Sequence, residues 1–173
     1  GGVGVNVVWV DIAQPRVRCL VGLAHNADPV RGYFPRENFS SFIQRYRPRA
    51  AINGTYFHKL NGQPTGSIVR NGTFLYDGRW GTTITFDRQG RVRFHYRSGT
   101  YGRHFGWDSS VYNAITTGPT LVRNGRVWLY PWSEGFRDRR VLGTARRSAI
   151  GLTWSGKLLL VTVHTPITLN KLA

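Results

Sequence analysis

Two stretches of this chain carry nearly the same short pattern. Thr65-Gly66-Ser67-Ile68-Val69-Arg70-Asn71-Gly72 parallels Thr117-Gly118-Pro119-Thr120-Leu121-Val122-Arg123-Asn124-Gly125 with one inserted residue. Asn-Gly is the dipeptide that accepts positive φ at both central positions of a two-residue β-turn, so each stretch predicts a hairpin: Ile68 to Tyr76 and Leu121 to Tyr130. A solenoid needs at least three copies at a fixed period, and two copies read instead as paired devices within one domain. Two further hairpins follow from the same logic, Thr82 to Tyr96 turning near Arg88-Gln89-Gly90, and Ala149 to Val163 turning near Ser155-Gly156. Four hairpins in sequence predict a mainly antiparallel, strongly twisted sheet.

Length sets how many domains share those hairpins. At 173 residues, 40% of them hydrophobic, the chain can bury one good core and is too short for two typical domains. The predicted class is therefore a single α+β domain over residues 1–173 with one or two short helices. Glu37 to Tyr46 supplies one of them, because Phe39, Phe42, Ile43 and Tyr46 fall at i, i+3, i+4 and i+7 and Arg47-Pro48 ends the run. That stripe is expected to pack across one face of the sheet. Val3 to Ile12 and Val17 to Ala24 read as strands that open the sheet, joined at Gln14-Pro15.

No stretch approaches the roughly 20 apolar residues of a membrane helix, and no signal-like apolar core opens the chain. With Gly1 first and no methionine, an upstream segment is expected to have been removed or left out. Cys19 has no internal partner for a disulfide and reads as a small buried hydrophobe. The formal charge is +16, and only three of the 24 basic residues are lysine. Arginine's planar fork suits phosphate and carboxylate, so a polyanion or an acidic protein is a reasonable partner.

The segment Ala50-Ala51-Ile52-Asn53-Gly54-Thr55-Tyr56-Phe57 reads as an apolar strand running into Asn-Gly and then aromatics. Taken with Thr117-Gly118-Pro119-Thr120-Leu121-Val122 and its Asn-Gly, and with Arg147-Ser148-Ala149-Ile150-Gly151 leading into Gly156 to Val163, it resembles the phosphodiester glycosidase family. The match runs over roughly residues 50–173. Two departures stand out: Arg146 occupies the position where the family usually has proline, and Ser148 the position of its threonine. The family also continues into a strand ending Leu-Asp-Gly-Gly. That segment is absent from this sequence, so residues after Ala173, or a partner chain, are expected to complete the apolar pair Leu169 and Leu172 and the acidic half of the site.

The resemblance implies an extracytoplasmic hydrolase acting on a sugar-1-phosphodiester or a related linkage in an anionic glycan. In that reading Asn53 meets sugar hydroxyls, Gly54 and Gly118 let backbone amides approach a phosphate, and Thr117 lines the cleft. Arg147 clamps the phosphate through a bidentate pair and Ser148 orients it. Glycoside cleavage usually employs two carboxyl groups, but a phosphate leaving group needs little protonation, so one acid or base can suffice. Asp108, Glu134 and Asp138 lie in loop-like segments, with Asp77 behind them. His58, after the aromatic pair, and His164, at the end of the last strand, are the general-base candidates by location. Of the carboxylates, Asp108 is the one carried forward as a catalytic candidate. No motif implies a cofactor, and no Cys or His pair has zinc spacing. The rival reading is a non-catalytic arginine-rich module of the same fold that holds an anionic polymer or joins a protein assembly.

Overall fold

Hairpin turns set the architecture of the computed structural model, which describes residues 2–96 and 109–173. Strands β1 (Val5–Val10), β2 (Ile68–Arg70), β3 (Thr73–Tyr76), β4 (Thr82–Asp87), β5 (Val92–His95) and β6 (Val111–Thr117) are followed by the short ribbon β7 (Val122–Arg123) and β8 (Arg126–Val127), then by β9 (Ala145–Leu152) and β10 (Leu158–Ile167). Every pairing is antiparallel. Both Asn-Gly turns form as the sequence dictates, with φ of 51° and 77° at Asn71 and Gly72 and of 51° and 72° at Asn124 and Gly125.

A five-stranded sheet runs in the order β3-β2-β6-β4-β5, and a three-stranded sheet in the order β1-β10-β9. Apolar side chains from both meet in one core. Ile84, Phe86 and Val92 of the larger sheet cluster with Ile12 and Leu158, and Val10, Leu160 and Ile150 of the smaller sheet pack against them. Burying each such side chain contributes on the order of 1.5–3 kcal/mol, which fixes one sheet over the other. Cys19 lies half-buried against this core, and burial pushes its thiol pKa up, as suits an inert packing residue.

Three sequence expectations need correction. Val17 to Ala24 forms no strand and joins no sheet. Its polar groups bond to side chains instead: Asn113 Nδ2 donates to the Cys19 carbonyl at 2.9 Å, and Leu23 N donates to Tyr46 Oη at 3.1 Å. Ala50 to Ile52 likewise forms no strand. The third concerns the helix α1, which spans Phe39–Tyr46 but packs on the segment around Gly22 and Leu23 rather than across a sheet. Phe42 and Tyr46 make that contact with ring centroids 4.5 Å apart, while Phe39 stays 51% exposed. A 3-10 turn at Pro29–Arg31 and two one-turn helices, α2 (Arg139–Leu142) and α3 (Leu169–Leu172), also occur, the latter two capped by the side chains of Asp138 and Thr168. Among the described residues no helix is long and apolar enough to cross a membrane.

Candidate functional site

The two copies of the Thr-Gly pattern close on the same piece of chain. Thr65 donates to the Tyr56 carbonyl through its amide at 2.8 Å and its hydroxyl at 3.1 Å, and Gly66 N donates to Thr55 Oγ1 at 2.9 Å. From the other copy, Thr117 Oγ1 donates to the Gly54 carbonyl at 3.4 Å. Asn53 to Tyr56 is thereby pinned to the end of β6, with Asn53 exposed. Gly54 lies close to β6: a Cβ there would fall 2.3 Å from Ile115 Cδ1, so the tip of that side chain would have to shift.

Beside that segment stands Phe136, buried at 5% exposure. Its ring meets Tyr56 edge-on with centroids 5.8 Å apart, and a Cβ on Gly118 would lie 3.0 Å from it. Gly118 is thus also shaped by protein packing. Glu134 fixes the adjoining loop, since Thr120 N donates to both carboxylate oxygens at 2.9 and 3.1 Å and Thr120 Oγ1 to Oε2 at 2.9 Å. Burial raises the Glu134 pKa, and the Thr120 donors oppose that shift without cancelling it. Its bonds are spent on architecture.

Arg147 is buried at 9% exposure, on the face of β9 opposite to its neighbour Ser148. Its guanidinium donates to the carbonyls of Gly143 and Ile167, so part of its donor set braces the chain. The rest of its influence reaches Tyr56, whose phenol feels the Arg147 cation and the Asp138 carboxylate. The net shift of Tyr56 is upward because burial, with Asp138 adding to it, outweighs the Arg147 cation. Asp138 is held below the ordinary carboxylate range, chiefly by hydrogen bonds from the Arg140 side chain and amide, with Lys59 adding to the effect.

The residues singled out from sequence therefore divide. Asn53, Gly54, Thr117 and Gly118 converge at the end of β6, and Arg147 is linked to them through Tyr56. Ser148 pairs with Thr162, which in turn pairs with Asn6, and His164 shares a hydrogen bond with Asn6 at 2.8 Å. Ser148 and His164 thus share the face opposite Arg147, a correction that strand alternation explains. His58 is exposed in the loop between Phe57 and Pro64. Asp108 lies outside the described residues. Sequence reasoning missed Phe136, because nothing distinguishes it from the other aromatics around it. A cavity of about 500 Å³ lies elsewhere, beside α1, lined by His25, Tyr33 and the Glu37–Arg45 ion pair among others. Among the described residues no three His, Cys, Asp or Glu side chains gather as ligands for a metal would.

The convergence of these motifs agrees with comparison against known families, in which residues 46–173 match the phosphodiester glycosidase family. The chain belongs to the phosphodiester glycosidase family. No curated protein matches it. In three dimensions it is similar to the crystal structure of a hypothetical protein from Synechocystis, with a TM-score of 0.62 at 14% identity over 98% of this chain. At that identity the likeness concerns the fold alone. This chain spans 48% of the length of that one. The three sequence motifs all lie within the matched residues.

Proposed function

We propose that this phosphodiester glycosidase domain hydrolyses sugar-1-phosphodiester linkages in an extracytoplasmic glycan, at the junction of Asn53–Tyr56 and Thr117–Gly118 beside Phe136. The observation that carries the reading is the double clamp on Asn53–Tyr56, which gathers two family motifs at one strand end and leaves Tyr56 under the influence of the third, at Arg147. Asn53 presents an amide to sugar hydroxyls. The Arg147 cation favours the phosphate's negative charge, which grows as the phosphomonoester departs.

In the hydrolytic step the oxygen of water bonds to the anomeric carbon, the bond from that carbon to the phosphate oxygen breaks, and the phosphomonoester leaves with the electron pair. Asp138, ionised at neutral pH, takes the proton of the water as general base. The decisive assay incubates the protein with a panel of glycosyl-1-phosphodiesters and follows release of free sugar and phosphomonoester. Wild type is expected to turn over, while Asp138→Asn lowers kcat by roughly 10²-fold or more and Asn53→Ala lowers kcat/KM. Absence of turnover on every member of the panel would sink the reading and leave the rival, a glycan-holding module. A full loss in His58→Ala with Asp138→Asn unaffected would move the base to His58.

A further inference from the structure

From Phe136 at the proposed site, the chain leads back through a loop whose outer side is aromatic. Trp128, Tyr130 and Trp132 are 40%, 56% and 58% exposed, at alternating positions just after β8. Exposed aromatics in a contiguous group are unusual on a solvated surface and mark contact sites. A guanidinium stands over two of these rings: Arg123 lies 5.3 Å from the Trp128 ring centroid and Arg137 lies 4.7 Å from that of Trp132. Among the described residues neither arginine forms an ion pair with a carboxylate. Arg137 also donates to the Trp132 carbonyl, which holds the loop in shape.

We propose that Arg123, Trp128, Tyr130, Trp132 and Arg137 form an accessory surface for an anionic polysaccharide chain, on the loop that leads into Phe136 at the proposed site. The natural substrate is then a polymer. Flat apolar rings take the C–H faces of sugar residues, and the arginine forks, kept planar against the rings, present donors to phosphate or carboxylate groups along the chain. Single-stranded nucleic acid fits less well, because it needs parallel platforms for successive bases, whereas Trp128 and Tyr130 stand 60° to each other at 4.8 Å. Extension from the proposed site rests on the glycosidase reading. Binding at the surface does not.

The test is a tryptophan-fluorescence titration, with affinity electrophoresis alongside, against a poly(glycosyl phosphate), its single repeat unit, neutral dextran, oligo(dT) and phosphatidylglycerol vesicles. Wild type should bind the polymer at least tenfold more tightly than any other probe. Trp128→Ala with Tyr130→Ala, and separately Arg123→Gln with Arg137→Gln, should each weaken it at least tenfold, and the arginine pair should also flatten the salt dependence. Thermal midpoints identify any variant that has lost its fold, and the single substitution Trp132→Ala, at a side chain more than half exposed, provides a milder lesion. Leu60→Ala, at a fully exposed leucine outside this surface, should bind as wild type does. Undiminished binding by folded variants, or a preference for oligo(dT) or vesicles, would overturn the assignment. Because the readout is binding, failure of hydrolysis would count against the catalytic reading alone.

Discussion

Replacing Glu134 by alanine removes the acceptor for the Thr120 amide and for the Thr120 hydroxyl, at a carboxylate only 5% exposed. The hydroxyl keeps one partner, because Thr82 Oγ1 lies 2.6 Å from Thr120 Oγ1, whereas the amide loses its acceptor. A hydrogen bond to a charged group contributes roughly 1.5–3 kcal/mol, and a buried donor left unpaired costs about 1–3 kcal/mol. Relief of carboxylate desolvation offsets part of this, so the expected net loss is about 3 kcal/mol for Glu134→Ala. Glu134→Gln keeps a carbonyl acceptor and should lose about 1 kcal/mol. Urea titration resolves the two readily, since with a slope of about 2 kcal/mol/M the alanine midpoint falls by about 1.5 M.

A pH signature separates this account from simple cavity formation. The folded-state pKa of Glu134 is raised by burial, so the folded state holds its proton more tightly than the unfolded chain. Its stabilising contribution is therefore full below the unfolded carboxylate pKa and is lost as pH rises through the folded value. The stability gap between wild type and Glu134→Gln should narrow as pH is raised above the ordinary glutamate range. A gap that widens over that interval, or an alanine variant within 0.5 kcal/mol of wild type on the scale of ordinary surface substitutions, would refute the reasoning.

Glu37 behaves in the opposite sense. Its pKa is lowered to about 2, first by the Arg45 hydrogen bond, so its contribution is present above the unfolded glutamate pKa and lost as pH falls toward about 2; Glu37→Gln should show a flatter acid limb in thermal melts. Arg147→Lys keeps the cation but cannot span both the Gly143 and Ile167 carbonyls, so stability should fall by about 1–2 kcal/mol and kcat/KM on a phosphodiester should fall with it. Gly72→Ala and Gly125→Ala meet the same positive φ, at a cost of roughly 1–2 kcal/mol, but only the second brings a Cβ to 3.3 Å from the Trp154 indole. Trp154 is 87% exposed and can yield by that much, so denaturant midpoints should fall by similar amounts in the two variants.

The hairpins were the most legible part of the fold, because Asn71-Gly72 and Asn124-Gly125 impose a turn geometry that does not depend on distant contacts. Helix α1 was legible in its period and not in its partner, since a stripe says which side is apolar and nothing about what lies opposite. Val17 to Ala24 misled for a related reason. Its composition suits a strand, yet its bonds go to the side chains of Asn113 and Tyr46, nearly a hundred residues away for Cys19 and Asn113. In the candidate site, the repeated Thr-Gly pattern marked both clamps, while Phe136 awaited its contacts with Tyr56 and Gly118, and the division of Arg147 from Ser148 awaited the register of β9.

The three-stranded sheet also governs the order in which the protein can fold. Among the described residues strand β1 pairs only with β10, matching Val5 with Val163 and Val10 with Leu158, so its ladder joins regions about 150 residues apart. The five-stranded sheet has no such requirement, because every strand in it lies between residues 68 and 117. On a ribosome that larger sheet can assemble while β10 is still unmade, leaving Val5, Val7 and Trp9 to wait as an unpaired apolar strand. The vulnerable interval in the protein's biogenesis is thus set by the time needed to synthesise everything between β1 and β10.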